Sequence, residues 1–369
     1  MDKKIILCTN SDIGRVGKVG YRTTQVANEI LKSKKLEKIF CRRNYDKALS
    51  EYAISSIWYN FLNLSLNFVH QFILPFFHVR NYLDNYFDDF CLKELKKLDL
   101  NSNEYILHTW EPLEKTLKFA KENNIKVVLD VQMAYDLPKD SMKKINSLVD
   151  VLIVPSNYAM KMAVYVGFDN KKIQVIPFGV DISFYFEKNL DKVLKKKEFI
   201  VIFSGQLIFR KGIDVLIRSW QLAKIPNGKL IFAGRSHKES DDYIRKLTEN
   251  DNSIEFVGNL SKEELRDYYL KASIFVLPTF LEGSAKVTYE AMASGLPVIT
   301  TKEAGSIITD GVDGFIIKKG DIIDLKEKIE YFHKDLSRIS KFGANGKRNV
   351  SKYTWQNYAK NIDKVYKKF

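Results

Sequence analysis

Short apolar runs alternate with helix-period stretches from one end of the chain to the other. Residues 5–9 form an apolar run that predicts a first β-strand, and a glycine-rich turn follows at Gly14, Gly17 and Gly20. A helical pattern then spans 23–31. Further runs predict strands at 105–108, 126–131, 151–155 and 174–176. The pattern restarts with strands at 199–207, 229–233, 254–257, 274–277, 297–300 and 315–317. A helix is expected at 211–224, with Ile213, Leu216, Ile217 and Trp220 on one stripe. Strand and helix in strict alternation is the sequence form of a parallel sheet with crossover helices. The charged segment 187–197 has no apolar period, so the domain linker is expected there. The expected organisation is an N-terminal Rossmann-like domain at 1–185, a second at 186–350 and a terminal helical segment at 351–369. In such sheets ligands sit at the carboxyl ends of strands, so a cleft between two facing domains is expected.

Composition adds limits. Of 369 residues, 45% are hydrophobic and 28% charged, as in an ordinary folded protein. Cys8, Cys41 and Cys91 lie far apart and read as buried thiols in a reducing compartment, neither a disulfide framework nor a zinc site. The run after Asp-Lys-Lys is too short for a signal peptide, and the expected location is cytoplasmic. The net charge is +14, and residues 1–50 hold 12 Lys and Arg against 5 Asp and Glu. That excess suits phosphorylated substrates or an anionic membrane as well as a merely solvated surface. Residues 53–79 carry no formal charge and are rich in aromatic and aliphatic side chains. Asn60, Asn63, Asn67, His70 and Gln71 oppose a spanning helix, which leaves buried helices or a surface dipping into the inner face of the plasma membrane.

The chemistry concentrates in two segments. Residues 282–299 read EGSAKVTYEAMASGLPVI and follow a strand. A glycine turn there leads into a helix whose first amides, from Ser284, Ala285, Lys286 and Val287, suit a diphosphate. Glu290 lies two turns on from Glu282 and suits both hydroxyls of a ribose. Residues 203–212 read FSGQLIFRKG. Arg210 and Lys211 stand where a helix dipole disfavours cations, which is better explained if an anion lies between them and the amides.

The segment from Glu282 to Glu290, with its EAMASGLPVI continuation, resembles the E-x7-E signature of family-4 glycosyltransferases, retaining enzymes of the GT-B fold. The resemblance is weak over 1–145 and strong over 201–317. It implies hexosyl transfer from a UDP- or GDP-linked sugar to a glycan or lipid-linked acceptor, in cell-surface polysaccharide or lipopolysaccharide synthesis. It implies no metal and no cofactor, with Arg210 and Lys211 stabilising the departing diphosphate and Glu282 reading the sugar's hydroxyls. The family pattern G-R-L-x-x-x-K-G is altered here: Gln206 follows Gly205 where arginine is usual, and Arg210 is expected to take over part of its work. By the same resemblance Arg235 and Asn259 lie near the nucleotide base. A first-domain histidine near the sugar is missing, and Asp130 or Gln132 is expected to stand in. Gly14, Arg15, Gly17 and His108 are candidates for an acceptor or phosphate loop. A nucleotide-sugar 2-epimerase of similar plan and a basic nucleic-acid-binding protein are the alternatives. The donor region shows no RNA-binding motif, and nucleic acid is not expected as a partner.

Overall fold

The computed structural model describes residues 3–14, 21–56, 79–100, 104–132, 139–186, 198–236, 238–249 and 251–369. The expected linker at 187–197, the candidates Arg15 and Gly17, and residues 57–78 of the uncharged segment lie outside the described residues. The chain divides into two compact units. Unit 1 is Met1–Val154, Met160–Ile176 and Trp355–Phe369; unit 2 is Pro155–Ala159 and Pro177–Thr354.

Each unit is a parallel-sheet, Rossmann-like α/β layer structure. In unit 1 the chain runs β1 (Lys4–Ile13), α1 (Tyr21–Lys32), β2 (Leu36–Asn44), β3 (Ala53–Ser55), α2 (Val79–Leu95), β4 (Tyr105–Thr109), α3 (Glu114–Glu122), β5 (Lys126–Asp130), α4 (Lys139–Leu148) and β6 (Val151–Val154). Helix α5 (Asn157–Tyr165) and β7 (Ile173–Val175) follow. The sheet order is β3-β2-β1-β4-β5-β6-β7, all parallel. A parallel interior strand is covered on both faces, so its residues are apolar in succession. Ile5, Ile6, Leu7 and Cys8 on β1 are each at most 1% exposed.

In unit 2 the order of elements is α6 (Ile182–Tyr185), β8 (Phe199–Ser204), α7 (Ile213–Ala223), β9 (Gly228–Ala233), α8 (Lys238–Thr248), β10 (Ile254–Gly258), α9 (Lys262–Lys271) and β11 (Ile274–Leu277). Then come α10 (Lys286–Ala293), β12 (Val298–Thr301), β13 (Gly314–Ile317), α11 (Ile322–Lys334) and α12 (Ser337–Val350). The sheet runs β10-β9-β8-β11-β12-β13. The terminal helix α13 (Trp355–Tyr366) belongs to unit 1.

Two strands departed from the sequence pattern. The basic cluster between Lys32 and Arg43 contains β2, whose buried run Ile39, Phe40 and Cys41 is flanked by charges that hide its period. The uncharged segment begins as β3, paired with Ile39–Cys41. Helix α7 is shorter than expected. Arg210 and Lys211 lie before it in a 3₁₀ turn, and Gly212 caps the helix.

Candidate functional site

The order of unit 2's sheet reverses at β8. The chain steps outward from β8 to β9 and β10, then crosses back to β11 on the other side. The loops that leave β8 and β11 therefore diverge, and the crevice between them is where ligands of open α/β sheets bind. The loop after β8 carries Gly205, Gln206, Arg210 and Lys211; the loop after β11 carries Glu282, Gly283 and Ser284.

Backbone contacts lock these loops together. The Arg210 carbonyl accepts from Phe280 N at 2.8 Å and from Thr279 Oγ1 at 2.9 Å. Gly212 has φ +72°, and a Cβ there would stand 2.1 Å from the Pro278 carbonyl oxygen. Only glycine lets the two loops approach this closely. A third loop, after β12, completes the clamp: Glu282 N donates to Glu303 O and Ala285 N to Ala304 O, both at 2.9 Å.

On this scaffold three charges meet. Arg210 Nη1 lies 2.7 Å from Glu282 Oε1, and Lys211 Nζ is bonded to the same oxygen. Arg210 Nη1 also donates to the Leu281 carbonyl. The side chains of Lys211 and Glu282 are 13% and 14% exposed, whereas that of Arg210 is 37% exposed. The sequence anticipated an anion beside the two cations. In the structure that anion is the chain's own Glu282, and the cluster retains one net positive charge.

Glu290 stands in a separate cluster. It is the fifth residue of α10 and takes a hydrogen bond from the Tyr185 hydroxyl. Burial pushes its carboxyl up to about 7, and Lys286, Tyr185 and Lys262 pull the other way. Lys262 Nζ lies 3.9 Å from the Phe184 ring centroid, 5.4 Å from that of Tyr185 and 3.7 Å from Asp181 Oδ2. Nothing in the local sequence pattern pointed to Tyr185 or Lys262. They come from α6 and α9, far from α10 in sequence.

The start of α10 offers fewer amides than expected. Its N-cap is Ala285, whose own amide is taken by Ala304, and the cap has no side-chain bond. Lys286 and Val287 are the first helical residues, where amides lack an intrahelical acceptor. Ser284 turns its hydroxyl inward, 3.0 Å from Tyr289 Oη. At the ends of β8, β9 and β10, Gln206, Arg235 and Asn259 are exposed side by side in sheet order. Gly205 has φ +145°, and a Cβ there would meet Lys211 only at 3.9 Å.

In unit 1 two expected site residues are scaffold. Asp130 is 1% exposed and accepts from Arg22 Nη1 at 2.9 Å, Trp110 Nε1 at 3.1 Å and the Tyr358 hydroxyl. With three donors on one buried carboxylate, it ties α1, the end of β4 and α13 to β5. That arrangement leaves it no open face for a sugar, which corrects the expectation that it substitutes for a histidine there. His108 is fully buried, stacks on Trp110 with centroids 4.2 Å apart, and has Nδ1 2.5 Å from Tyr366 Oη. Burial, then Arg22, holds its ring well below the usual histidine range, so it is a neutral packing group. Gly14 also has a structural reason. Its φ is +84°, a Cβ would lie 2.5 Å from Asp46 N, and its amide donates to Thr24 Oγ1 at 2.8 Å.

Residues 186–349 match the family model of glycosyl transferases group 1. The match covers β8 to α12 and so contains both the Arg210–Glu282–Lys211 cluster and Glu290. The chain is 33% identical over 216 residues to the capsular polysaccharide biosynthesis glycosyltransferase CapM of Staphylococcus aureus, which covers 54% of this chain and 56% of that protein. It is 30% identical over 205 residues to an uncharacterized glycosyltransferase of Methanocaldococcus jannaschii, covering 50% of this chain and 58% of that one. The chain thus spans somewhat more than half the length of these relatives. Among solved structures, Anabaena HepE in complex with UDP and glucose superposes with a TM-score of 0.71 at 16% identity, covering 99% of this chain and 100% of that chain. At that identity the likeness concerns the fold, which is the GT-B plan of two Rossmann-like units. These group 1 likenesses do not favour the epimerase alternative.

Proposed function

We propose that the protein is a group 1 glycosyltransferase that holds a UDP- or GDP-linked sugar on unit 2 and passes the sugar to a glycan or lipid-linked acceptor. The observation that carries this reading is the Arg210–Glu282–Lys211 cluster at the sheet's reversal point, within the group 1 match. Two cations held on glycine-shaped loops suit a diphosphate leaving group, on which negative charge grows as the glycosidic bond breaks. When the diphosphate arrives, its oxygens replace the Glu282 carboxylate on Arg210 and Lys211. Glu282 is thereby released toward the sugar's hydroxyls. Glu290 accepts the ribose hydroxyls, oriented by Tyr185. Gln206, Arg235 and Asn259 border the base. Configuration at the anomeric carbon is retained, and no metal is required, because fixed cations and helix amides carry the charge.

The capsular role in the name of CapM supports an acceptor in cell-surface polysaccharide synthesis, and the UDP in the HepE complex supports a uridine donor. A thermal-shift screen of UDP- and GDP-sugars tests the reading directly, since a ligand selective for the native state raises the melting point. One nucleotide series should stabilise the protein, and Glu290→Gln, which removes the charged acceptor for the ribose hydroxyls, should shrink that shift. If no nucleotide diphosphate shifts the melting point, donor binding on unit 2 is wrong. The anomeric proton of the first product, followed by NMR, decides retention, and activity in excess chelator decides the metal question.

A further inference from the structure

The loop after β11 presents the amides of residues 282–285 at the crevice of unit 2, and its neighbours treat them unequally. The amides of Glu282 and Ala285 are taken by the carbonyls of Glu303 and Ala304, both at 2.9 Å. Among the described residues, the Ser284 amide between them donates to no protein group. Its surroundings are nevertheless held on two sides. The Ser284 hydroxyl is 3.0 Å from Tyr289 Oη, and the Gly283 carbonyl accepts from Ser156 Oγ at 2.6 Å.

Ser156 comes from far off in the chain. Pro155–Ala159 directly follows β6, yet it belongs to unit 2. Ser156 is 7% exposed and stands just before α5. Its Oγ accepts the Ala159 N–H at 3.0 Å, the cap that serine commonly makes at a helix start. A hydroxyl has one proton, and here an N–H already points at its oxygen. The proton goes to the Gly283 carbonyl, so the bond runs in one direction only. Gly305 leaves space for it. Its φ is +58°, and a Cβ there would stand 2.3 Å from Gly283 O and 2.6 Å from Ser156 Oγ.

This bond sets an orientation. Among the described residues no peptide bond is cis, and in a planar trans peptide the C=O and N–H point in opposite directions. The Gly283 carbonyl points toward Ser156 and Gly305, on the side of the loop after β12. The Ser284 N–H of the same peptide therefore points away from that side. Strand β11 lies between β12 and β8, so the N–H is turned toward the β8 loop, which carries Arg210 and Lys211.

We infer that Ser156 is a positioning residue for the donor: through the Gly283 carbonyl it holds the Ser284 N–H toward the crevice as a hydrogen-bond donor to the diphosphate. The inference rests on the proposed transfer reading for the identity of that anion. Ser156 acts through Gly283 and not on the substrate. Without its hydroxyl the peptide turns freely, because Gly283 has no side chain to resist rotation. The crevice then loses one aimed donor while Arg210 and Lys211 stay in place.

The test uses the full-length protein labelled with ¹⁵N-serine, with Ser284→Ala identifying the Ser284 amide resonance. The probes are pyrophosphate, UDP and GDP, and turnover is followed as nucleotide release from UDP-glucose and GDP-glucose. In the wild type at least one probe should move the Ser284 resonance. Ser156→Ala should shrink that response about threefold and lower turnover about tenfold, with a smaller change in the Michaelis constant, because an aimed donor acts most on charge that develops in the transition state. Ser156→Thr keeps the hydroxyl and should restore both. Ser156→Cys, a weaker donor of similar shape, should lie between, and it serves if the alanine variant does not fold. Asp321→Ala removes the cap of α11 and should lower the melting point without changing response or turnover, which separates positioning from stability. The inference is overturned if no probe moves the Ser284 resonance, if Ser156→Ala and Ser156→Cys keep the wild-type response, or if Asp321→Ala loses as much response as they do. If neither sugar nucleotide is turned over and neither nucleotide binds, while pyrophosphate moves the Ser284 resonance in a Ser156-dependent way, the transfer reading falls and the role of Ser156 remains.

Discussion

The two sheets reverse their strand order in the same manner, yet the groups gathered at the two reversal points are opposite in kind. In unit 2, Arg210 and Lys211 converge on Glu282, and donors outnumber the acceptor. In unit 1, Asn10, Asp84 and Glu111 converge with acceptor atoms to spare. The topology provides the crevice, and the few side chains placed after each strand decide what fits it. Cationic donors prevail at one crevice, and unmet acceptor atoms at the other.

The largest expected effect separates scaffold from site within unit 1. Asp130→Ala removes the carboxylate that Arg22, Trp110 and Tyr358 all address. Breaking one side of a buried ion pair strands the other charge and costs about 3–5 kcal/mol. Denaturant unfolding should report a loss of that size. A variant of wild-type stability that had lost only activity would move Asp130 from the scaffold into the site and blur the contrast drawn above.

Next in size is the cationic crevice of unit 2. Arg210→Ala and Lys211→Ala should each lower turnover about 10²–10³-fold, with a smaller change in the Michaelis constant, because they act on charge that develops as the bond breaks. Glu282→Gln should behave differently. With its charge gone, the cations are free in the empty protein, so nucleotide should bind more tightly while turnover falls. Weaker nucleotide binding in Glu282→Gln would mean that the carboxylate assists the diphosphate instead of holding its place.

How much of this was readable in the sequence follows from where each interaction lies in the chain. The segments around Arg210 and Glu282 stood out because each sits directly after an apolar strand and opens a turn, so local spacing carried the signal. That Glu282 is bonded to both cations was not readable, since the contact joins residues some seventy positions apart. Asp130 was expected to stand in for the family's missing histidine, and His108 was chosen because it ends a strand. Whether such a residue faces a ligand or the interior depends on what covers it, and here α1 and α13 supply Arg22, Tyr358 and Tyr366. Glu111 lies beside His108 in sequence and was passed over. A glutamate after a strand has no distinguishing pattern until its unmet oxygen is located in space. Strand β2 was lost among basic residues, although three buried apolar residues in a row mark an interior parallel strand.

A moderate effect is expected from Glu290, and it has a defined pH window. Its folded pKa is raised from 4.5 to about 7, so the native state holds a proton there that the unfolded chain releases. Stability from this group is therefore full below about 4.5 and lost as pH rises toward 7. Glu290→Gln should match the wild type near pH 4.5 and exceed it in melting point above pH 7. Nucleotide affinity should run the other way, because only the ionised carboxylate accepts from both ribose hydroxyls: it should fall as pH drops through 7 and be weakened in the variant, by roughly 1.5–3 kcal/mol per bond lost. Nucleotide affinity that is flat from pH 5 to 8 would detach Glu290 from the donor.

The smallest effect concerns the basic cluster of unit 1, which β2 divides: Lys32 and Lys34 come before its first residue, and Arg42 and Arg43 stand at its carboxyl end. The structure thins the basic cluster seen in the sequence. Lys32 Nζ is 2.8 Å from Glu29, and Arg42 Nε is 2.7 Å from Asp12. Lys34 and Arg43 are exposed. The aromatic residues Trp58, Tyr59, Phe76 and Phe77 of the uncharged segment lie outside the described residues. Among the described residues no helix is long and apolar enough to cross a membrane, so association would rest on surface charge and side-chain insertion. Each basic residue near an anionic surface contributes about 1 kcal/mol, and a carboxylate partner cancels much of that. Co-sedimentation with phosphatidylserine-containing vesicles at low salt should therefore be weakened about fivefold by Lys34→Gln or Arg43→Gln, and less by Arg42→Gln. Binding should decline with salt in each case. Wild-type protein that stays in the supernatant with these vesicles at low salt removes the membrane from the picture. Equal losses for Arg42→Gln and Arg43→Gln would show instead that the Asp12 pair opens at the lipid surface.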